Sequence, residues 1–476
     1  VVSGKKATMI YVKFSDEGRR NLNHLVEGSS ALPDGVSGIA IRDSATNWND
    51  PIPLECDALT QMLEQSPNKI KRVSLNHREN VSPEYLALLT SLFKKADILE
   101  FHTFEGDAAY TCLMACLMQS NGPRELRYWE ESISPYQANL FFRGIAFSTS
   151  VETLDLSFTE GYDVPQNVGR ALADSMLGEN RSLKRLELSM DVLDTDVQGI
   201  LRTVILETQV QSLAIYREEC FECDDIPFNI LRDILCRKDC SLKHLRLDAV
   251  ALSPSMNDDD LNTTLKNSSV RGFSLECANL DCSQIMETVS LFQSIETLCL
   301  NFNGISDLSP LDPLLIGDNA TLKSLVVCSN DIEEADAIDF FRKLPQMKRL
   351  RHVLFHDTLF LTGNSHSWKT TAIEAIRRNK SLECVEYKGG SFDEDFVDKT
   401  KVALSLNRGG RRALEVESSS VLPANLWPRV LERAANIVYC DYSTIYEEEE
   451  ELCCEGLKSL PVESTRVDVV FWLLRE

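Results

Sequence analysis

Two stretches of the chain, IETLCLNFNGI at 295–305 and LKSLVVCSNDI at 322–332, share one spacing of apolar residues and asparagine. In both, aliphatic residues occupy the first, fourth and sixth positions, and asparagine occupies the ninth. Apolar residues at positions four and six are typical of a short β-strand that buries one face. Each stretch is therefore predicted to contain one such strand.

The same trio of apolar residues recurs along most of the chain. Between Ile70 and Leu382, twelve trios begin at intervals of 25 to 32 residues, with a mean of about 28. The clear trios begin at Val151, Leu183, Val210, Leu242, Val270, Ile295, Leu322, Leu350 and Leu382. Looser trios begin at Ile70, Ala96 and Pro123, and weaker ones at Met9, Val36 and Arg411.

Helical stretches separate the trios, for example at 82–95, 165–177, 308–316 and 368–378. Several of them begin with Pro, Asp or Ser, which favour helix N-termini. One strand and one helix cannot bury an apolar face alone, but stacked repeats can. The sequence therefore predicts an α/β solenoid, a horseshoe of about 12–15 repeats with a curved parallel sheet inside and helices outside.

This pattern resembles the leucine-rich repeat family over roughly Met9 to Val416, and its period is similar to that of the ribonuclease-inhibitor-like subclass. The resemblance implies that Asn303 and Asn330 satisfy backbone groups where the strand turns away. Other copies carry a different residue at this position: Thr159, Asp191, Val250, Ala278 and Gly390. We expect the solenoid to be irregular in those copies.

The ends of the chain differ from the middle. We expect irregular N-terminal repeats or a cap over 1–69, the regular repeats over 70–416, and a C-terminal cap over 417–476. The C-terminal segment contains an acidic linker and a predicted terminal helix at 466–475. That helix either seals the last repeat or docks on another protein.

The composition restricts the class of partner. The chain has 476 residues with 49 Lys and Arg against 73 Asp and Glu, so its net charge is −24, which disfavours nucleic acid and anionic membranes. No run of 18 apolar residues predicts a membrane span. Fifteen irregularly spaced cysteines are typical of reduced thiols, which indicates a cytoplasmic or nuclear protein.

The sequence contains no motif of a common enzyme class. A P-loop, a dinucleotide fingerprint, HExxH and GxSxG are all missing, so we predict neither an enzyme nor a bound cofactor. Cys220 and Cys223, followed by Cys236 and Cys240, imitate the spacing of a zinc site. The repeat places the two pairs at opposite ends of a helix, about 18 Å apart, so no metal site is predicted there.

His352 and His356 are the second candidate for a metal site. They lie four residues apart on one predicted strand, so both side chains point to the same face, next to Cys328 on the adjacent strand. We expect exposed imidazoles that a partner can contact, and no metal.

The predicted concave face carries the third, fifth and seventh residue of each repeat. This register selects Arg127, Trp129, Asp155, Arg185, Glu187, Tyr216, His244, Arg246 and Asp248. Trp, Tyr and Arg are the residue types that contribute most to protein interfaces. We therefore predict that this mixed-charge stripe binds a partner.

Three apolar residues, Cys299, Val326 and Leu354, occupy the central position of consecutive strands on the same face. A contiguous exposed apolar patch would be a contact surface. Alternatively, curvature or a packed terminus shields it. The longest intervals between trios add loop residues at 158–164, 217–226 and 357–367, which would extend the binding surface along one edge.

Asn180, Asn319 and Asn379 belong to Asn-x-Ser/Thr sequences directly before a predicted strand. Their shared place in the repeat indicates turn chemistry rather than glycosylation.

The favoured hypothesis is a non-enzymatic scaffold that binds a protein partner, one with a basic patch, on the concave face and one loop edge. The resemblance also implies an alternative of another class, a GTPase-activating protein of the type that regulates the small GTPase Ran. A third hypothesis is the sensor or substrate-receptor part of a larger protein.

Overall fold

The computed structural model describes the chain in segments and divides it into two compact units. The described residues are 8–13, 36–42, 55–77, 83–104, 106–119, 122–130, 133–158, 180–189, 209–216, 224–226, 241–248, 250–252, 270–277, 289, 294–318, 320–356, 358–362, 367–386 and 394–408. Unit 1 comprises Val1–Glu219 and Cys240–Leu242, and unit 2 comprises Cys220–Asp239 and Lys243–Glu476.

Unit 1 is a parallel sheet whose strands lie side by side in chain order. Its strands are β1 (Thr8–Lys13), β2 (Val36–Arg42), β3 (Ile70–His77), β4 (Ala96–Phe104), β5 (Glu125–Glu130), β6 (Thr153–Phe158), β7 (Arg185–Ser189) and β8 (Ser212–Tyr216). The described helices are α1 (Glu55–Gln65), α2 (Pro83–Lys95), α3 (Asp107–Leu117) and α4 (Pro135–Phe147). Strand and helix thus alternate from β2 to β6.

Unit 2 repeats the arrangement with shorter strands. A two-stranded parallel sheet pairs β9 (Asp224–Ile226) with β11 (Val250–Leu252). The larger parallel sheet contains β10 (His244–Asp248), β12 (Gly272–Glu276), β13 (Thr297–Cys299), β14 (Ser324–Val326), β15 (His352–Leu354) and β16 (Cys384–Glu386). The described helices are α5 (Asp312–Leu315), α6 (Glu334–Lys343), α7 (Leu359–Thr362), α8 (Ser367–Arg378) and α9 (Glu394–Arg408).

The middle residue of each apolar trio forms a continuous row across the strands of each unit. In unit 1 the paired residues are Ile39, Val73, Leu99, Leu126, Leu154, Leu186 and Leu213. In unit 2 they are Leu245, Phe273, Leu298, Leu325, Val353 and Val385. All but Val385 are at most 3% exposed, and each buried side chain contributes about 1.5–3 kcal/mol.

These rows confirm that the recurring trios stack as neighbouring strands of a parallel sheet. The chain is therefore an α/β leucine-rich-repeat solenoid. The predicted helices over 82–95 and 368–378 correspond to α2 and α8 and are confirmed. The predicted helix over 165–177 lies outside the described residues, and so does the predicted cap over 417–476.

The predicted helix over 308–316 is more irregular. It begins as a 3₁₀ turn, Ser309–Leu311, and continues into the four-residue α5. The carboxylate of Asp307 accepts hydrogen bonds from the backbone N–H of Ser309 at 2.8 Å and from its hydroxyl at 2.6 Å. Gly317, at φ +97°, lies just beyond the end of the helix in a backbone conformation that favours glycine.

Asn330 performs the role that the family resemblance implies. Its side-chain amide donates to the carbonyl oxygens of Leu300 at 2.7 Å and Cys328 at 3.0 Å. Its side-chain oxygen accepts from the N–H groups of Asn303 at 3.1 Å and Ile305 at 3.0 Å. One buried side chain therefore satisfies four backbone groups where the strand ends.

Asn180 and Asn379 confirm the turn chemistry that was predicted for them. The side-chain oxygen of Asn379 accepts from the N–H groups of Ser381 at 2.8 Å and Leu382 at 2.6 Å, and Asn180 makes the same pair of bonds in its own turn. Both residues are 1% exposed, so neither amide is available to carry a glycan in this fold. Asn319 lies outside the described residues.

Across the described segments, no helix is both long and apolar enough to cross a bilayer.

Candidate functional site

Each sheet has one face that lies opposite the buried trios, and we call it the open face. It carries the third, fifth and seventh residue of each repeat. On the open face of unit 1, Glu100, Arg127, Asp155 and Glu187 pair in sequence from β4 to β7. Side chains in such a row are about 4.8 Å apart, so their charges interact strongly.

Asp155 lies at the centre of this face and is 8% exposed. The indole Nε1–H of Trp129 donates to one carboxyl oxygen at 3.0 Å, and the hydroxyl of Tyr216 donates to the other at 2.8 Å. Trp129 lies on the neighbouring strand, whereas Tyr216 reaches across β7. The side chains between them at the seventh position, Ser157 and Ser189, are small and leave room for this reach.

Burial is the main reason that the pKa of Asp155 rises from 3.8 to about 7. The neighbouring charge of Glu187 raises this pKa further, while the hydrogen bonds from Tyr216 and Trp129 oppose the rise. Burial and the carboxylate also raise the pKa of Tyr216 far above its usual value, so this phenol remains a donor. The cluster therefore contains a carboxyl group that titrates near neutral pH.

The arginines of this face are paired with glutamates. The guanidinium of Arg127 lies 2.5 Å from Glu125 and 3.6 Å from Glu100. Arg72 lies 3.2 Å from Glu100, and Arg185 forms an ion pair with Glu187 on its own strand. Burial raises the pKa of Glu100 although Arg72 and Arg127 oppose the rise.

Aromatic contacts hold the indole of Trp129 in place. Its ring centroid lies 5.2 Å from that of His102, and the guanidinium carbon of Arg127 lies 6.0 Å above it. Together with the bond to Asp155, these contacts fix a partly exposed tryptophan before any partner binds. Of the predicted stripe, unit 1 thus brings together Arg127, Trp129, Asp155, Arg185, Glu187 and Tyr216.

Unit 2 contains the other predicted charged residues. Arg246 lies 3.3 Å from Asp248 and 3.6 Å from Glu276. Glu276 accepts hydrogen bonds from the hydroxyl of Ser274 at 2.9 Å and the thiol of Cys299 at 3.6 Å. This carboxylate is thus satisfied by groups within unit 2 itself.

His244 depends on a neighbouring glycine. A Cβ at Gly272 would lie 2.4 Å from the Nδ1 of His244, so this imidazole occupies the space that a side chain would take on the next strand. The position of His244 is therefore set by packing against β12.

The predicted exposure of the apolar patch to solvent is wrong. Cys299 is fully buried and Val326 is 8% exposed, while Leu354 is half-buried. Side chains on both adjacent strands flank each of the first two, and Glu276 lies against the Cys299 thiol. The alternative of a shielded row therefore holds for Cys299 and Val326, and the partner-binding role of all three stays a prediction.

Sequence reasoning missed Glu100, His102, Glu125 and Glu276. The trio beginning at Ala96 places Glu100 at the fifth position and His102 at the seventh, and the trio beginning at Val270 places Glu276 at the seventh. The signal was therefore present in the register. The charged stripe begins at Arg72 on β3, two strands earlier than its predicted start at Arg127 on β5.

The histidine pair of unit 2 shows one expected contact. The backbone N–H of His356 donates to the Cys328 sulfur at 3.4 Å, which confirms that they are neighbours. His352 is half-buried rather than exposed, and burial, followed by the charges of Arg408 and Arg351, lowers its pKa to about 4. Among the residues with described positions, no three His, Cys, Asp or Glu side chains are grouped to hold a metal.

Several predicted features lie outside the described residues. These are the cysteines at 220, 223, 236 and 240 and most of the predicted loops at 158–164 and 217–226, whereas the predicted loop at 357–367 contains α7.

No protein-family model and no curated protein matches this sequence. Among solved structures, the chain is similar to leiomodin-1 actin-binding site 2, with 16% identity over 40% of this chain and 93% of that one, at a TM-score of 0.27. It is similar to TLR13 in its complex with ssRNA13, with 12% identity over 83% and 57%, at 0.41. It is also similar to mouse RP105 in complex with MD-1, with 12% identity over 77% and 58%, at 0.35. At these TM-scores the similarities are too distant to assign a function.

Proposed function

We propose that this chain is a non-enzymatic protein-interaction scaffold that binds a protein partner on the open face of unit 1. The observation that supports this proposal is the Trp129–Asp155–Tyr216 cluster. Its two aromatic side chains are fixed by one buried carboxyl group, so a partner would lose little conformational entropy in them. Partly exposed, rigid Trp and Tyr next to Arg form the usual centre of a protein interface.

Two further assignments belong to this proposal. The described helices between strands in unit 1 have 11 to 13 residues, and a full helix between strands at a period of about 28 supports the ribonuclease-inhibitor-like subclass. The irregular spacing of the fifteen cysteines supports a reducing compartment, the cytoplasm or the nucleus. Of the three predicted loops, the one at 158–164 belongs to unit 1 and would extend the contact along the edge of this unit; all but its first residue lie outside the described residues.

The proposal is tested by identifying partners of the full chain through cross-linking and then measuring their affinity. Trp129→Ala should weaken binding by at least about 30-fold, which corresponds to about 2 kcal/mol for the loss of a central aromatic. Tyr136→Ala is the matched control, because Tyr136 is an exposed aromatic on α4, away from the open face. Equal loss in both variants, or no loss in either, would contradict the proposal.

One assay distinguishes the GTPase-activator hypothesis from the scaffold proposal. As a scaffold, the chain should leave GTP hydrolysis by a panel of small GTPases unchanged. Acceleration of any member would replace the scaffold with the activator. A sensor or receptor role in a larger protein would be supported by upstream sequence that encodes a second functional domain.

A further inference from the structure

Among the described charges on the open face of unit 1, one carboxyl group has no ion pair of its own, although its ladder partner Arg127 lies on the neighbouring strand and lowers its pKa. Arg72, Arg127 and Arg185 each form an ion pair with a glutamate. Within the described residues, the hydrogen bonds that Asp155 accepts come from two neutral groups, the indole of Trp129 and the phenol of Tyr216. Among the described residues of this face, each of these arginines is matched by a glutamate, and the carboxyl group that is not matched is Asp155.

Geometry places a second carboxylate directly beside this group. Asp155 and Glu187 are partners in the ladder between β6 and β7, so their side chains lie about 4.8 Å apart on one face. The Glu187 side chain is 15% exposed and therefore reaches solvent. Each carboxyl oxygen of Asp155 accepts one bond and keeps a second lone pair. A guanidinium or ammonium group approaching from solvent could therefore contact both residues.

Other charged and titratable groups surround Asp155 on every strand packed beside it. These groups are Glu100 and His102 on β4, Glu125 and Arg127 on β5, Arg185 and Glu187 on β7, and Tyr216 on β8. His102 is the competing group, because an ordinary imidazole also titrates near neutral pH. Glu100, whose pKa is also raised by burial, is a second competing group.

We propose that Asp155 and Glu187 form the binding site for one arginine or lysine side chain of the protein partner, and that this cation displaces a proton from Asp155 into solvent. The site lies between the indole of Trp129 and the phenol of Tyr216, whose hydrogen bonds hold the carboxyl group in place. The net charge of −24 favours the approach of a basic segment. This inference rests on the proposed function and specifies the chemistry of its central contact.

The proposal gives binding a definite pH dependence. With the Asp155 pKa at about 7, roughly half of the free protein is protonated there at pH 7. A cation binds the ionised form, so affinity should rise about tenfold from pH 6 to pH 8 and then level off. Binding at pH 7 should release about half a proton.

The experiment titrates the full chain with a labelled hexa-arginine peptide at pH 6, 7 and 8 and constant ionic strength. Calorimetry in two buffers of different ionisation enthalpy counts the released proton, and a hexa-citrulline peptide controls for contacts without charge. Asp155→Asn should abolish the pH dependence. Glu187→Gln should move its midpoint to lower pH, because the like charge that raises the Asp155 pKa is removed.

Two variants serve as controls. His102→Phe removes the titratable imidazole but keeps an aromatic ring against Trp129, so it should keep the pH dependence. Glu64→Gln removes the same charge as Glu187→Gln from an exposed residue of α1 and should leave the pH dependence unchanged. Circular dichroism establishes whether Asp155→Asn folds; if it does not, the midpoint of Glu187→Gln decides. Three results would overturn the inference: a pH dependence that persists in folded Asp155→Asn, an unmoved midpoint in Glu187→Gln, or loss of the pH dependence in His102→Phe. The proposed function survives that result if Trp129→Ala still loses its partner.

Discussion

The seventh residue of the repeat is used differently in strands β5 to β8 of unit 1 and in strands β13 to β15 of unit 2, whereas β10 and β12 of unit 2 still include it. In unit 1, strands β5 to β8 include this position, so Trp129 and Tyr216 stand on the sheet and contact a buried carboxyl group. In unit 2, strands β13 to β15 end at the fifth position. There the seventh residue Asn301 accepts a hydrogen bond from the backbone N–H of Cys328 at 2.9 Å.

This difference shows that repeats of similar length can use the seventh residue in two ways. A longer strand presents three rows of side chains to a partner. A shorter strand directs polar side chains such as Asn301 and Asn330 back to the main chain, which fixes the turn. The apolar trio is the same in both units, so the core does not decide which use a repeat makes of its seventh residue.

The core should respond equally in both units, and this is the largest expected effect. Leu186→Ala in unit 1 and Leu325→Ala in unit 2 each remove a fully buried side chain from the central row. Each should lower the free energy of unfolding by about 2–5 kcal/mol, measured by urea denaturation. A loss below about 1 kcal/mol in only one of them would break the equivalence of the two cores.

Asn330→Ala should be the next most severe change, because it leaves buried backbone groups without partners. We expect a loss of about 3 kcal/mol in the free energy of unfolding. Asn330→Asp places a carboxyl oxygen against the carbonyl oxygens of Leu300 and Cys328, so its loss should be larger near neutral pH than at low pH, where the protonated carboxyl group can donate. Equal stability of Asn330→Ala and the wild type would show that the turn in unit 2 does not depend on this side chain.

Asp155 should give unit 1 a pH-dependent stability. Because the folded pKa, about 7, lies above the ordinary 3.8, its contribution is fully present below pH 3.8 and is lost as the pH rises to about 7. Relative to the wild type, Asp155→Asn should therefore gain stability between pH 4 and pH 7. Thermal melts at both pH values measure this difference, and a parallel response of the two proteins would contradict it.

The smallest expected effect concerns the turn of unit 2. Phe302 has a φ of +55°, which is costly for a bulky residue, and its side chain is 57% exposed. Phe302→Asn should raise the free energy of unfolding by about 0.5 kcal/mol, because asparagine tolerates this conformation better. Phe302→Leu, which keeps an apolar side chain and the strain, is the control and should show no gain.

Much of the fold follows from the trios alone. Their spacing predicts the strands, the residues that pair across them and the buried row, because a period of two fixes which side chain faces the core. The same register identifies the open face and, applied one strand earlier, would have included Glu100. Asn330 could be assigned because its place in the repeat is distinctive.

The contacts within the site could not be predicted in the same way. The register places Tyr216 on the open face, but its bond to Asp155 depends on a side chain that crosses a whole strand over small neighbours. The burial of Cys299 likewise depends on the conformation of Glu276 on the next strand. The register specifies to which face a side chain points, whereas the burial of that side chain depends on the size and rotamer of its neighbours.

The turns of unit 2 also bear on how this chain forms during synthesis. The N–H of Phe302 donates to the Cys328 carbonyl at 3.1 Å, and the N–H of Ser329 donates to the His356 carbonyl at 2.7 Å. Each bend is thus closed by an acceptor that lies 26 or 27 residues further along the chain. During synthesis, one of these bends cannot close until the following repeat has been translated. The ordering of these turns therefore lags one repeat behind translation.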